Sequence, residues 1–237
     1  MLTFMAHREF KDHLYPQFAR IGAALSSEKR LELLDLLAQA SRNVEALAQE
    51  TGMSVANTSQ HLQALLAARI VDTHRQGTRV FYSLADDSVL RLWLALRDVA
   101  ESRLAEVDQI SREFLPSRGQ LPLVSRDELQ SLIKRSQVRL IDVRPRLEYD
   151  SGHLPGAVAI PIEDLPGVLN ELPRDLPIVA YCRGEYCLFA DEAVALLREN
   201  GFQASRLQGG WPEWKTEGRG VAVNSSPDLT NGNAARS

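Results

Sequence analysis

From Phe10 to about Asp108 the apolar residues recur every three or four positions, as in Leu31, Leu34, Leu37 and Ala38 or Leu62, Leu65 and Leu66, which is the spacing of helices that bury one face. Beyond Pro122 they gather instead into short runs, Leu140 to Val143 and Ile178 to Tyr181, separated by helical stretches at Arg126 to Arg135 and Leu188 to Asn200. Such runs suit strands buried on both faces, and strands alternating with helices build a mainly parallel sheet. The change of period predicts two domains: a mainly α domain over 1–115, a linker over 116–122 marked by Pro116, Ser117, Gly119 and Pro122, and an α/β domain over 123–220. A length of 237 residues agrees, since one domain usually holds roughly 100 to 150. Residues 221–237 are expected to form a disordered tail, because from Asn224 onward they lack apolar anchors.

Side-chain oxygens that can cap helices occur at Ser26 and Ser27, at Ser41 to Asn43 and at Ser54, while Gly52 stands where a third helix should end. Val71 and Thr73, the turn Arg75 to Arg79, and Val80, Tyr82 and Leu84 then read as a β-hairpin. One long helix is expected from Asp86–Ser88 to about Phe114. A helix-turn-helix followed by a hairpin is a way of presenting one helix to DNA. The net charge of −4 supplies no global attraction to nucleic acid, so DNA binding would need a local surface. In the segment beginning at Ser54, the residues Asn57, Thr58, Gln60 and His61 offer hydrogen bonds to bases or phosphates, and Val55, Leu62, Leu65 and Leu66 are expected to face the core. Arg75 and Arg79 would touch the DNA backbone from the hairpin. A plain helical bundle with a polar surface helix would show the same spacing.

The residues themselves narrow the choice. Thr58-Ser-Gln-His-Leu-Gln-Ala-Leu, then Ala-Ala-Arg-Ile-Val71 and Arg75-Gln-Gly-Thr-Arg-Val-Phe-Tyr-Ser-Leu84, resemble the recognition helix and wing of the ArsR/SmtB family over residues 8 to 112. The resemblance implies a winged helix-turn-helix regulator and a homodimer joined through helices near Phe10 to Leu25 and Ser88 to Phe114, bound to a palindromic double-stranded operator. Many relatives sense metals through cysteine or histidine. Here residues 1–120 contain no Cys and the last helix offers only Asp98, Glu101 and Asp108, so no metal site is expected.

Cys182 and Cys187 are the chain's two cysteines, too close in sequence to staple a fold. Cys182 follows a strand and precedes a helix, where the loop amides, the helix N-terminus and the charge of Arg183 would favour a thiolate or persulfide. Leu140-Ile-Asp-Val-Arg144, Tyr149-Asp-Ser-Gly-His-Leu-Pro-Gly-Ala-Val-Ala-Ile-Pro161, the Cys182 loop and Gly209-Gly-Trp-Pro-Glu-Trp214 resemble, in this order, the rhodanese family. That implies that Cys182 takes sulfur from a sulfane donor such as thiosulfate or a polysulfide, with the amides of Arg183, Gly184, Glu185, Tyr186 and Cys187 cradling the persulfide. Gly184 suits a loop position that needs free backbone angles. Asp142, Arg144 and His153 read as framework residues, and Trp211 and Trp214 as cover for the site or the core. Phosphatase chemistry on related folds uses an Arg six positions after the Cys, and position 188 is Leu.

Cys187 is either a thiol that resolves the persulfide into a disulfide or polysulfide bridge, or a small buried residue at a helix start. Three functions stay open: a regulator that senses reactive sulfur at Cys182, a sulfurtransferase enzyme tethered to a DNA-binding domain, or a regulator with an inert rhodanese module. The intact Cys182 loop argues against the third, and the absence of cysteine from the winged-helix half favours the first. No cofactor is expected. With no apolar run long enough for a bilayer and charged residues where a signal peptide would be apolar, the expected location is the cytoplasm.

Overall fold

The computed structural model describes residues 2–115 and 118–223, so Pro116 and Ser117 of the expected linker and the tail from Asn224 lie outside it. The chain divides into two compact units after Arg97, inside a helix and upstream of the 116–122 segment where the sequence placed the division.

The first unit is built from α1 (Leu2–Leu25), α2 (Glu28–Gln39), β1 (Arg42–Asn43), α3 (Val44–Thr51), α4 (Val55–Ala67), β2 (Val71–Gln76), β3 (Arg79–Leu84) and the start of α5 (Asp87–Arg103). Its core collects Leu33, Leu34 and Leu37 of α2, Leu47 of α3, Leu62 and Leu65 of α4, and Val71 and Tyr82 of the sheet. The caps follow the expected chemistry at two starts: Asn43 accepts from the Ala46 amide and Ser54 from the Asn57 amide. At Ser27 no side-chain cap forms. Gly52 ends α3 at φ 65°, a left-handed conformation that costs glycine little. β2 and β3 are joined by Gly77 and Thr78 alone, with Gln76 opposite Arg79. The sequence did not reveal β1, whose two residues pair with Phe81 and Tyr82 to make a three-stranded sheet. Arg42 anchors the short strand: fully buried, it donates from Nη1 to the Leu36 and Ala40 carbonyls at 2.6 and 3.1 Å and from Nε to Glu50 at 2.8 Å. The guanidinium thereby adds a second donor to the Leu36 carbonyl, which also accepts from the Ala40 amide, and bonds the Ala40 carbonyl just past the end of α2.

The single long helix expected to reach Phe114 is two helices. α5 ends at Arg103, Leu104 is extended (φ −110°, ψ 103°), and α6 (Ala105–Phe114) starts afresh. Neither glycine nor proline marks the break, so local sequence carries no sign of it.

The rest of the second unit contains β4 (Leu123–Val124), α7 (Arg126–Lys134), β5 (Arg139–Asp142), α8 (Arg146–Ser151), β6 (Val158–Ala159), α9 (Leu165–Val168), β7 (Ile178–Tyr181), α10 (Leu188–Glu199), β8 (Ala204–Leu207) and α11 (Trp211–Thr216). The five strands run parallel in the order β4-β8-β7-β5-β6. Alternation along the strands feeds two cores, as expected for a sheet covered on both faces. Ile141, Ile178 and Ala180 pack with Ala193, Val194 and Leu197 of α10, while Leu140, Val179 and Tyr181 pack with Leu129, Trp211 and Trp214. The domain runs past the expected end at 220: Ala222 and His153 exchange two backbone hydrogen bonds of 2.9 Å, so residues 221–223 do not belong to the tail. Pairing to a distant loop, invisible to local composition, holds this segment.

Candidate functional site

β7 lies centrally in the sheet and delivers Cys182 at its C-terminal end, 1% exposed, while Cys187 occupies the N-cap position of α10. The loop between them closes on itself: the two sulfurs form a disulfide with the Cα atoms 6.2 Å apart, and the Cys187 amide donates to the Gly184 carbonyl at 3.2 Å. The structure therefore holds Cys182 and Cys187 in the oxidised state, in which neither is a thiolate. Gly184 has φ 152°.

Two ion pairs fix the loop from different sides. Arg183 turns its guanidinium onto the buried Glu148 of α8, with Nη2–Oε1 2.5 Å and Nε–Oε2 3.1 Å. This corrects the expectation that Arg183 lends its charge to the Cys182 sulfur, because Glu148 matches that charge. Glu185, placed in the loop for its amide alone, uses its carboxylate: it accepts from Arg206 of β8 at 3.2 Å and from the Gly209 amide at 3.1 Å. Arg206 also lies 3.2 Å from Asp191 of α10. Gly210 packs directly under the loop. A methyl group there would come within 2.4 Å of the Cys182 carbonyl and 2.5 Å of the Gly184 nitrogen, and the Trp211 amide donates to that same carbonyl at 3.1 Å.

Asp142 and Arg144 form the frame beneath. Both are fully buried, and Arg144 donates to Asp142 from Nε and Nη2 and to the Gly152 carbonyl at 2.8 Å. Its guanidinium carbon lies 5.2 Å from the Trp211 ring and 5.6 Å from that of Tyr181. Burial lowers the Arg144 pKa, but the hydrogen bond and charge of Asp142 outweigh it and hold the group above its ordinary range. Burial first, and Asp142 second, push Tyr181 well above the usual tyrosine range, so its phenol stays neutral and accepts from the Leu154 amide at 3.0 Å. His153 is buried and stacked on Tyr149 with ring centroids 3.8 Å apart, a scaffold position.

In the first unit α4 presents Ser54, Asn57 and Gln60 to solvent, with His61 half-buried, and Arg75 and Arg79 are exposed on the hairpin. Thr58 does not join them. It is fully buried, and its hydroxyl donates to the Ser54 carbonyl at 3.0 Å, so its role is internal to the helix start. Val55, expected in the core, is 48% exposed in the first turn of α4 beside Asn57.

Family models match at both units: "Bacterial regulatory protein, arsR family" over residues 27–73 and "Rhodanese-like domain" over 125–217. The HTH-type transcriptional regulator Rv0324 of Mycobacterium tuberculosis is 43% identical over 208 residues, covering 88% of this chain and 91% of its own length. The chain belongs to the arsR family of bacterial regulators, in a form that carries a C-terminal rhodanese domain. Each half of this arsR-family regulator also has separate relatives. A sulfurtransferase of Allochromatium vinosum is 31% identical over 90 residues, covering 38% of this chain and 82% of its own. The solved homodimeric winged helix-turn-helix DNA-binding domain of Mb0332 from Mycobacterium bovis is 45% identical and covers 40% of this chain and 87% of that chain, with a TM-score of 0.39.

Sequence reading of the regulator missed Glu148, Arg206 and Gly210 as partners of the cysteine loop, and placed Glu185 there without a role for its carboxylate. Gly210 stood inside the Gly209-Gly-Trp motif and carried a signal. Glu148 and Arg206 carried none, since a charged residue on a helix or a strand ordinarily faces water.

Proposed function

We propose that this transcriptional regulator senses reactive sulfur in the cytoplasm through Cys182 and binds a palindromic operator as a homodimer. The observation that carries the reading is the bond between Cys182, at the end of β7, and Cys187, at the cap of α10. In the reduced protein the Cys182 thiolate attacks the outer sulfur of a sulfane donor, becomes a persulfide, and releases the donor's remaining sulfur group. The Cys187 thiolate then attacks the Cys182 sulfur, the disulfide forms and hydrosulfide leaves. Dithiol and disulfide are thus two states of one loop, and DNA affinity would follow the difference between them.

For DNA contact the reading uses Ser54, Asn57, Gln60 and His61 on α4 and Arg75 and Arg79 on the wing, with Val55 added as an apolar group suited to a thymine methyl. Apolar side chains left exposed on α1, including Phe10 and Phe18, support the dimer, since such a face needs a partner. Among the described residues no helix is long and apolar enough to cross a membrane. Likeness to the A. vinosum sulfurtransferase supports a second reading, an enzyme that passes the persulfide sulfur to an external thiol.

The deciding experiment measures binding to an operator selected from random DNA by wild type and Cys182→Ser, each reduced, with and without polysulfide, while mass spectrometry follows Cys182. Sulfur loading that changes wild-type affinity and leaves the variant fixed supports sensing. Loading and turnover with no change in affinity overturns sensing in favour of the enzyme.

A further inference from the structure

The break between α5 and α6 stands where local sequence asks for a continuous helix. We propose that the closed cysteine loop holds this break, and that opening the Cys182–Cys187 bond lets α5 and α6 join into one helix; the proposal rests on reading that pair as a redox-active sensor.

Glu101, Arg103, Leu104, Ala105 and Glu106 are all strong helix formers, yet Leu104 is extended at φ −110° and ψ 103°. A local preference overruled in this way needs a tertiary cause. α6 has no core of its own to supply one, for none of its ten residues is buried. What faces the junction is the cysteine loop, across a groove of about 620 Å³. One wall of the groove carries Leu104, Val107 and Ser111, and the other is formed by Glu185 and Tyr186. Val107 and Ser111 are also the half-buried positions of α6, so its better covered face is the one that lines the groove.

Glu185 and Tyr186 both lie inside the ring that the disulfide closes, and a closed ring restricts the backbone of the residues within it. Opening the bond takes two electrons and two protons, supplied by a dithiol that leaves as its own disulfide. Once that wall loosens, the first amides of α6, which a helix start leaves without partners inside the helix, can bond the last carbonyls of α5. The other end of α5 is anchored: Trp93 donates to Asp35 of α2 at 3.1 Å, and Leu90 and Leu94 pack with Ala38. Joining the helices therefore redirects the chain where it leaves an element fixed in the winged-helix core. Such a two-state element lets the condition of one site bias another.

Ala105 provides the test. It is the first position of α6, where proline is well accommodated, and the extended Leu104 before it has the backbone that a residue preceding proline prefers. Inside a continuous helix the same proline would remove a backbone bond and clash with the preceding turn. Ala105→Pro should thus keep the broken form and forbid the joined one. Hydrogen exchange at the amides of residues 104–108 and operator affinity are measured on the full chain, oxidised and after reduction with dithiothreitol. In wild type, reduction is expected to slow exchange at these amides by about threefold or more. Ala105→Pro should exchange alike in both states at the amides it retains and should hold the affinity of oxidised wild type, while mass spectrometry shows its cysteines still reacting. Tyr186→Ala should bring exchange in the oxidised protein toward the reduced value. Wild-type exchange at 104–108 that ignores the cysteine state or quickens on reduction overturns the switch. So does an Ala105→Pro variant whose affinity still follows the cysteine state, or a Tyr186→Ala variant that keeps the wild-type pattern in both states. A junction that responds while wild-type affinity does not supports the switch and overturns sensing.

Discussion

Arg183 follows Cys182 in the chain, yet its guanidinium is bound to Glu148, whose side chain is fully buried while that of Arg183 keeps 21% exposure. The pair ties α8 to the first residue of the cysteine loop. Arg183→Ala should therefore destabilise the rhodanese domain by about 2–4 kcal/mol, because a buried carboxylate loses a bidentate partner. Arg183→Lys should recover less than half, since an ammonium cannot reproduce the fork. Urea unfolding monitored by tryptophan fluorescence would measure both. Unchanged stability with slower sulfur loading would instead mean that Arg183 acts on the thiolate.

Gly210→Ala places a methyl group against the Cys182 carbonyl and the Gly184 nitrogen, atoms of the backbone that cannot rotate away. A loss of about 1–3 kcal/mol is expected, together with slower closure of the Cys182–Cys187 bond, because the loop must shift to make room. Thermal unfolding and the rate of disulfide formation after reduction would report the two effects. A variant that matched wild type in both would show that the loop has more freedom than this packing allows.

Cys187→Ser should trap the intermediate. After polysulfide treatment the variant is expected to carry one additional sulfur atom at Cys182, whereas wild type should return to its oxidised mass with hydrosulfide released. Equal retention of the added sulfur in both proteins would assign Cys187 a packing role.

On the DNA side, Arg79→Ala and Gln60→Ala should fail differently. Loss of Arg79 is expected to weaken binding across all sequences and to reduce the salt-dependence slope by about one. Loss of Gln60 should cost about 1–3 kcal/mol at one base position and relax selection there. Thr58→Ala, by contrast, should reduce stability by about 1 kcal/mol through loss of the buried hydroxyl's bond to Ser54 and should leave base preference unaltered. Binding titrations at several salt concentrations against single-base operator variants separate these outcomes.

The winged-helix architecture, the parallel sheet and the position of the cysteine loop were legible because each depends on local features: apolar period, caps at Asn43 and Ser54, the glycine at 52, and a cysteine between a strand and a helix. Helical phase misled at Val55, which is in register with buried Thr58 and Leu62 but is 48% exposed at the first position of α4. At Thr58 phase pointed inward and polarity misled, for the hydroxyl finds its partner in the carbonyl of the capping residue Ser54.

By itself the sequence determined most of the elements and placed both cysteines between a strand and a helix, since periodicity and residue chemistry act over a few positions. Only the tertiary structure decided where charge resides. Arg183 could have faced the sulfur, Glu185 the solvent and Arg42 the water around a helix end. Each instead meets a partner brought to it by packing, at 35 residues' separation for Arg183 and Glu148 and 21 for Glu185 and Arg206. A buried charge takes whatever counter-charge the assembled fold supplies, and no local pattern encodes that choice.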